Sequence, residues 1–424
     1  MASFKRGRWV TEAVSGVPRA DRRACEYDAY LPDPLMGREL SLSGEVAADV
    51  ADAEAAVARL DARAGALTDT EALARLLLRA ECVASSKIEG LEVGPRRLLR
   101  AEAARQMGES TTDVSAEEVL GNIDAMREAL SAAERTDVIC PETLLEIHRC
   151  LLIHTPLSRH AGCVREVQNW IGGSSYNPCS AAYVPPPPEL VPELLDDLAR
   201  FCNTDSLPAV VQAALAHAQF ETIHPFVDGN GRTWRALVHL ILRRRGLSRE
   251  VQPPISLVLA TRARDYIGGL TAFRHAGPPD GAGAVAGMNA WVATFASACT
   301  RATADAEQFE RRCQDIQSAW RDRLGAIRRD SSADLLLRML PGTPVLSVRT
   351  AMTMLRRSKP QVNQAVARLE EADVLTQVTV GRRNRAFEAR DIIDAFADLE
   401  RQLASPTGDT EISRPSRPVP GRRR

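Results

Sequence analysis

Several features that would place this 424-residue chain in a broad class of proteins are missing from it. Aromatic residues make up only 4% of the chain, and the formal net charge is −1. A chain so nearly neutral has the overall charge of neither a nucleic-acid coat protein nor a membrane-surface protein. No apolar run is long enough to span a bilayer, and the N-terminus lacks a signal-peptide core. We therefore expect a cytoplasmic protein with no membrane partner.

The cysteines and histidines follow no metal-binding or disulfide pattern. The nine cysteines are odd in number and include no C-x-x-C pair, and the seven histidines are dispersed along the chain. This usage is typical of a reduced intracellular protein with neither a disulfide framework nor a structural zinc site. Alanine and leucine, by contrast, are abundant and favour helix over sheet. We predict an all-α fold, in a chain long enough for two or three domains.

Apolar periodicity predicts a series of helices over most of the first 330 residues. Their expected ranges are 43–64, 68–90, 115–135, 141–152, 190–202, 207–223, 233–244 and 281–328. Thr68 and Glu71 fit a capping box at the start of the second helix, and Gly90 fits its C-terminal cap. Residues 1 to about 45 are expected to form an extended segment that wraps the domain.

The segment 163–188 interrupts the helical pattern because Gly, Asn, Ser and Pro dominate it. Residues 168–174 predict a short hairpin, and the four prolines at 185–188 predict an extended, rigid exit. Long non-helical insertions in compact domains tend to be functional, although a surface loop without a role is the alternative.

Residues 224–232 read HPFVDGNGR and form the most informative part of the sequence. They lie between two predicted helices, so the loop opens on a helix N-terminus whose free N–H groups attract phosphate. Gly229 and Gly231 allow a nest of backbone donors. An acidic residue beside an anion site, here Asp228, suits a divalent cation that bridges phosphates. Histidine is the usual general base, which makes His224 the candidate for that role.

Arg232 and Arg235 are three residues apart, so both project from one side of the first helical turn toward the same anion. The whole string resembles the Fic family signature, H-P-F-x-[D/E]-G-N-G-R-x-x-R, at every fixed position. The resemblance implies a helical protein that transfers AMP from ATP to a Ser, Thr or Tyr hydroxyl of a target protein. The alternative is a Gly- and Asn-rich turn that happens to carry a histidine.

The resemblance also implies a role for each site residue. His224 would accept the hydroxyl proton, and Asp228 would hold Mg²⁺. The nucleotide would be bound by the residues of the loop, the two arginines and an aromatic side chain near the adenine, namely Asp228, Gly229, Asn230, Gly231, Arg232, Arg235 and Tyr266. The hairpin would be the flap that holds the target peptide by strand addition, through Ile171, Gly172, Gly173 and Ser174.

A second acidic residue, Glu89, lies at the end of its predicted helix, where the helix dipole disfavours a carboxylate. Residues 85–90 read SSKIEG and resemble the [S/T]-x-x-x-E-[G/N] inhibitory motif of Fic proteins. That resemblance implies that Glu89 pairs with Arg235 and takes the place of the γ-phosphate, while Ser85 holds the inhibitory helix. A solvated glutamate at a helix end is the alternative.

Residues 344–390 differ from the rest in charge, with nine Lys or Arg against four acidic residues. Helices over 347–355 and 361–371, followed by a hairpin over 374–387, predict a winged helix-turn-helix. Its recognition helix would expose side chains suited to base edges, namely Gln361, Asn363, Gln364 and Arg368. The wing would present Arg382, Arg383 and Arg385. Residues 336–400 are thus a candidate DNA-binding module.

We therefore expect five regions. They are an N-terminal wrapping segment with the inhibitory helix (1–105), a Fic helical core with a β-hairpin flap (106–300), a helical linker (301–335), the winged helix-turn-helix (336–400) and a disordered tail (401–424). The preferred function is an adenylyltransferase inhibited by Glu89. Removal of AMP at the same site and DNA-binding regulation are the alternatives, and self-modification and a homodimer are further expectations.

Overall fold

The computed structural model describes residues 1–10, 18–65, 70–109, 113–380 and 384–403. The described part is mostly helical, as predicted, and contains fifteen α-helices and two small antiparallel sheets. The predicted cap residue Thr68, the wing residues Arg382 and Arg383 and the tail beyond residue 403 lie outside the described residues.

Eleven helices form the larger part of the molecule. Their bounds are α1 (Gly44–Gly65), α2 (Thr70–Ile88), α3 (Pro95–Gln106), α4 (Val114–Arg135), α5 (Pro141–Leu152), α6 (Val191–Cys202), α7 (Ala209–Ile223), α8 (Asn230–Arg244), α9 (Ile255–Thr261), α10 (Ala263–Phe273) and α11 (Ala282–Leu324). The predictions for α1, α2, α4 to α8 and α11 agree with these bounds to within a few residues. No prediction was made for α3, α9 or α10.

Helix α7 lies at the centre of this bundle, and all fifteen of its residues are buried. It packs against α8, α6, α11 and α1. The indole of Trp291 on α11 donates a 2.7 Å hydrogen bond to the Ala214 carbonyl of α7, so the two helices are also joined by a polar contact. A helix enclosed in this way gives its C-terminal end, where the candidate site begins, a rigid support.

The N-terminal segment is not simply extended. It forms a hairpin of β1 (Ser3–Trp9) and β2 (Cys25–Leu31), paired over seven residues. The two strands lie apart in the sequence, so no local pattern indicates their pairing, and this hairpin was not predicted.

The segment 163–188 also differs from its prediction. Residues 168–174 do not pair with one another, and the backbone hydrogen bonds of Ile171 go to Ala182 and Tyr183. Ile171 instead forms an isolated bridge with Tyr183. The prediction of a short hairpin within 168–174 is therefore wrong, and the flap is an irregular loop closed by a single bridge.

A disulfide joins Cys25 of β2 to Cys179 of this loop. The prediction that the chain has no disulfide is therefore wrong. The ring of Trp9 packs edge-on against Trp170, and the Asn177 side chain donates hydrogen bonds to Asp21. The N-terminal segment is thus joined to the flap by a disulfide, an aromatic contact and side-chain hydrogen bonds.

The C-terminal part continues with α12 (Ser332–Met339), β3 (Val345–Leu346), α13 (Val348–Leu355), α14 (Lys359–Glu371), β4 (Thr376–Val380), β5 (Asn384–Glu388) and α15 (Arg390–Leu403). The three strands form an antiparallel sheet in the order β3-β5-β4. The predicted helices 347–355 and 361–371 coincide with α13 and α14. Assignment of this module as a winged helix stays a prediction.

Helix α11 runs without a break through residue 300, where a boundary between core and linker was predicted. In the described part of the chain, no helix combines the length and apolar character that a bilayer crossing requires.

Candidate functional site

The candidate site is the loop that joins α7 to α8. Helix α7 ends at His224, which adopts the left-handed conformation with φ 49°. Gly229, with φ 76°, precedes the first residue of α8, and no side chain caps that helix. The first N–H groups of α8 are thus free of a capping side chain, at the helix end that attracts anions. The predicted anion-binding loop is present in this form.

Two side chains, the buried Arg165 and the partly exposed Asn169, hold His224 in its unusual conformation. The Arg165 guanidinium donates a 2.9 Å hydrogen bond to the His224 carbonyl, and the Asn169 amide donates to the same oxygen at 3.2 Å. Burial lowers the pKa of Arg165 to about 10, so the group stays a cation. Left-handed backbone in a residue other than glycine is strained, and these donors stabilise it.

The far end of the loop is held by α5. The ring of His148 stacks on Phe226 with a centroid distance of 3.7 Å, and its Nδ1 accepts from the Gly162 N–H. Nε2 therefore carries the proton and donates to the Asp228 carbonyl at 3.0 Å. Burial lowers the pKa of His148 to about 4. A neutral, fully buried imidazole thus fixes the loop.

The side chain of Asn230 is a brace within the loop. Its amide donates to the Phe226 carbonyl at 2.9 Å, and its carbonyl accepts from the Phe226 N–H at 2.8 Å. Each polar end thereby has a partner within the loop, and the role of Asn230 in nucleotide binding stays a prediction. Phe226 itself is fully buried.

His224 lies beside a buried carboxylate that was not singled out in the sequence. Nδ1 of His224 is 3.6 Å from Oε2 of Glu221, one turn earlier on α7. Burial alone would raise the pKa of Glu221, but the His224 side chain and the charges of Arg235 and Arg274 hold it below its ordinary value. An ionised Glu221 favours the proton on Nδ1, which leaves Nε2 of His224 as the acceptor for a substrate proton.

Asp228 and Arg232 form the next part of the site. The Arg232 guanidinium donates to Oδ2 of Asp228 at 3.0 Å and lies 3.9 Å from a Glu118 carboxylate oxygen. The side chain of Arg232 is only 4% exposed, whereas that of Asp228 is 47% exposed. Nε and Nη1 of Arg232 are buried and find no acceptor among the described residues. Buried N–H groups without acceptors are costly, which suits a ligand oxygen at this position.

Arg235 contacts the segment predicted to be inhibitory. Its guanidinium donates to the Ser85 hydroxyl at 2.6 Å, to the Ser85 carbonyl at 2.8 Å and to Oε1 of Glu89 at 2.6 Å. Burial on its own would lower the pKa of Arg235, but the nearby Glu89 carboxylate raises it. The predicted contacts of Glu89 and Ser85 with Arg235 are therefore present in the structure.

Glu89 also lies directly on the first turn of α8. A methyl group added to Gly231 would come within 1.8 Å of the Glu89 carboxylate, so only glycine leaves room for this approach. The chain reaches this position because Gly90, with φ 81°, ends α2, and Leu91 N–H donates to the Ser86 carbonyl. These bonds form a Schellman cap, which confirms Gly90 as the predicted terminator.

Tyr266 does not face an open pocket. Its ring is 6% exposed and lies among aromatic side chains, with centroids 6.3 Å from Trp234 and 6.0 Å from Trp291. Its hydroxyl is 3.2 Å from the buried His217. This burial corrects the prediction that Tyr266 contacts the adenine base.

The flap residues are attached to the end of α7. Asn169, just before Ile171, binds the His224 and Phe226 carbonyls, and the Tyr183 hydroxyl donates to the Thr222 carbonyl at 2.7 Å. Ser174 N–H donates to the Ser180 hydroxyl across the loop. The predicted flap therefore adjoins the candidate base, although with irregular geometry.

Sequence reasoning missed Glu221, Arg165, Asn169 and His148. Glu221 could have been found, because a residue three positions before His224 lies on the same face of a helix. The other three act on backbone carbonyl groups, and the sequence carries no signal for such partners.

Comparisons with known proteins agree with this site. Residues 138–242 match the Fic/DOC family, and residues 47–131 match the Fic/DOC family N-terminal region. Protein adenylyltransferase fic-1 of Caenorhabditis elegans is 34% identical over 155 residues, which is 35% of this chain and 27% of that protein. Protein adenylyltransferase Fic of Drosophila ananassae is 33% identical over 153 residues, or 35% of this chain and 28% of that protein. The match thus spans little more than a quarter of the length of these curated relatives.

A solved structure of a Fic family protein from Desulfovibrio desulfuricans G20 has the same fold. It superposes with a TM-score of 0.51 at 20% identity, over 83% of this chain and 98% of the other.

Proposed function

We propose that this chain, whose residues 47–131 and 138–242 match the models of the Fic/DOC family N-terminal region and of the Fic/DOC family, transfers AMP from ATP to a hydroxyl group of a target protein. One observation carries the proposal. His224 lies beside an uncapped helix N-terminus and two buried arginines, Arg232 and Arg235, that retain N–H groups without acceptors among the described residues. A base next to a preformed site for phosphate oxygens suits attack of a hydroxyl on a phosphorus atom.

In the proposed reaction the target hydroxyl oxygen forms a bond to the α-phosphorus, and the bond from that phosphorus to the bridging β-oxygen breaks. Pyrophosphate leaves with the bonding electron pair, and Nε2 of His224 takes the hydroxyl proton. The N–H groups at the start of α8 and the free donors of Arg232 stabilise the charge on the phosphate oxygens. Glu221 holds His224 in the required tautomer.

Asp228 fits a magnesium ion that arrives with the nucleotide. Among the described residues, no three His, Cys, Asp or Glu side chains are grouped to hold a metal on their own. Mg²⁺ usually takes only one or two carboxylates beside phosphate oxygens and water, and Asp228 is half exposed with one oxygen bonded to Arg232. Such an ion would offset negative charge on the phosphates.

We further propose that Glu89 inhibits the reaction. Its carboxylate occupies Arg235 and the space above Gly231, where a terminal phosphate would otherwise lie. The side chain is 37% exposed, so it can leave the pocket without unfolding the core. The alternative reaction at the same site is removal of AMP from a modified protein. In that reaction Glu89 would orient the attacking water molecule.

The test is incubation of wild type, Glu89→Gly and Glu89→Gly/His224→Ala with Mg²⁺ and α-³²P-labelled ATP, followed by gel autoradiography. We expect Glu89→Gly to gain label by at least about tenfold, since a hydrogen bond to a charged group contributes about 1.5–3 kcal/mol. The double variant should lose the label. Glu92→Gly is the matched control, because Glu92 is exposed three residues further on.

The outcome separates the two uses of the site. No gain in Glu89→Gly, together with loss of AMP removal from pre-modified protein, would support hydrolysis and contradict transfer. A labelled band at the mass of the chain itself would support self-modification, and its appearance at twice that mass under native conditions would support a homodimer.

A second proposal, DNA binding by the C-terminal module, rests on one cleft. The exposed face of α14 lines a cleft of about 600 Å³ together with Arg328, Arg329 and Arg357. Gln361 and Gln364 of α14 open into it, and clustered arginines suit a phosphate backbone. Arg368 does not contribute, because its guanidinium donates to the Leu324 and Ala326 carbonyls.

A gel shift of the full chain with duplex DNA at increasing salt tests this second proposal. We expect Arg357→Gln to weaken binding and to reduce its salt dependence, whereas Arg59→Gln, an exposed arginine on α1, should change neither. Binding that is insensitive to Arg357→Gln would contradict it.

A further inference from the structure

A second cleft, distant in sequence from the catalytic loop, lies where the inhibitory helix α2 meets the C-terminal module. Its volume is about 610 Å³, within the range of small-molecule sites. One wall comes from α2, α3 and α4, and the other from Thr343 and α13. Four arginines line it, Arg75 and Arg79 from α2, Arg127 from α4 and Arg349 from α13, against a single acidic side chain, Glu102.

The charges in this cleft do not cancel. Burial alone would raise the pKa of Glu102, but Arg79 and Arg127 hold it below its ordinary value, so it is ionised. Glu102 forms a 2.9 Å ion pair with Arg79 and neutralises its charge. Glu102 and Asp124 both pair with Arg127. Arg75 pairs with Glu71 on its own helix. Arg349 is exposed and makes no ion pair with any described residue.

Hydroxyl groups complete a set of anion ligands. Thr343, Thr350 and Thr353 line the cleft beside Arg349, and the Thr343 hydroxyl is 3.4 Å from an Arg75 nitrogen. Guanidinium groups with neighbouring hydroxyls are the usual donors to phosphate in proteins. The Thr353 hydroxyl donates to the Arg349 carbonyl, whereas the Thr343 hydroxyl only accepts, from Arg75, and keeps its own hydrogen for a ligand. We propose that this cleft binds a small phosphorylated molecule through Arg75 and Arg349, with the Thr343 hydroxyl as a further donor.

A ligand in this cleft would connect α2, the helix that leads to Glu89, with the C-terminal module. The turn before β3 already packs on α2, because the Gly342 carbonyl accepts from Arg79 at 2.8 Å and a methyl group at Gly342 would lie 2.6 Å from Ala72. Arg79 on α2 precedes Glu89, which directly follows the last residue of that helix, by ten residues, or about 15 Å. An anion between Arg75 and Arg349 therefore fixes α2 more firmly against the C-terminal module and keeps the Glu89 carboxylate on Arg235. This regulatory part rests on the proposed function, whereas the binding part does not.

Isothermal titration of the full chain with inorganic phosphate tests the site without ATP or any transfer reaction. Wild type and Arg59→Gln should bind alike, and Arg75→Gln/Arg349→Gln should bind at least about tenfold more weakly, because hydrogen bonds to charged groups are lost. Both arginines are at least partly exposed, so the double variant should fold, as circular dichroism will verify.

The catalytic loop is a competing phosphate site, and Arg232→Gln distinguishes it. Phosphate binding that persists in Arg232→Gln but weakens in the double variant supports the cleft. Loss in Arg232→Gln alone, unchanged affinity in the double variant, or no binding by wild type would each overturn the proposal. Displacement of phosphate by duplex DNA would also overturn it, since the arginines would then contact a nucleic-acid backbone.

Discussion

Replacement of Glu221 by glutamine tests how His224, the proposed general base, is held. Glu221→Gln keeps the size of the side chain and removes its charge, while the surrounding helix α7 stays fully buried. Nδ1 of His224 lies 3.6 Å from Oε2 of Glu221, and the Glu221 side chain is 11% exposed. The substitution therefore acts on one contact in a site with little access to water.

The size of the effect follows from that distance. At an effective dielectric constant of about 20, two unit charges this far apart attract by about 4–5 kcal/mol. Arg235 and Arg274 also act on Glu221 and compensate part of this attraction. A net contribution of about 1.5–3 kcal/mol to the protonated histidine formed during transfer then remains, which corresponds to about a tenfold to hundredfold fall in kcat. The KM for ATP should change little, because Glu221 contacts the histidine and not the phosphate site.

The assay is steady-state AMP transfer in the Glu89→Gly background, with kcat and KM measured separately. Glu193→Gln on α6 is the matched control, since Glu193 is exposed and remote from His224. Glu221→Asp should recover part of the lost kcat if the carboxylate orients the ring. An unchanged kcat in Glu221→Gln, or a loss confined to KM, would refute the assigned role.

Two further predictions concern stability. Because the pKa of His148 is lowered to about 4, its stabilising contribution is present above the ordinary histidine pKa of 6.5 and is lost as the pH falls toward 4. Urea unfolding should show a loss from this residue of about 3 kcal/mol between pH 7 and pH 4, absent in His148→Gln; identical pH dependence in the two proteins would contradict it. Arg79→Met should lower the free energy of unfolding by about 3–5 kcal/mol, because Glu102 is left buried without its main partner. Arg59→Met should change it by less than about 0.5 kcal/mol, and equal effects would count against the buried pair.

Much of the helical core was predictable from the sequence because each helix buries an apolar face. The bounds of α4 and α5, for example, follow from their periodic apolar residues and from Pro141 at the start of α5. The loop that joins α7 to α8 was predictable for another reason. Its proposed function requires fixed residue types at fixed spacing, and the positive φ of Gly229 and the cap at Gly90 are properties of glycine itself.

The parts that were missed depend on contacts between distant residues. The β1–β2 hairpin pairs Ser3 with Leu31, and the disulfide joins Cys25 to Cys179 across 154 residues, so neither leaves a local pattern. The flap hairpin was wrongly predicted because two consecutive glycines allow many turns, and only the partner strand selects one of them.

The same distinction between local pattern and distant contact applies to the site residues. Glu89, Arg235 and His224 were singled out from the sequence because their side chains carry the charge or the titratable group that the proposed reaction requires. The contacts of the Asn230 amide with the backbone of Phe226 were not predicted, because the sequence does not reveal them. Tyr266 was misassigned because its neighbours Trp234 and Trp291 enclose it in the folded core.

The contact of Glu89 with Arg235 joins two segments of one polypeptide, 146 residues apart. Its occupancy is therefore independent of protein concentration, and dilution cannot release the arginine.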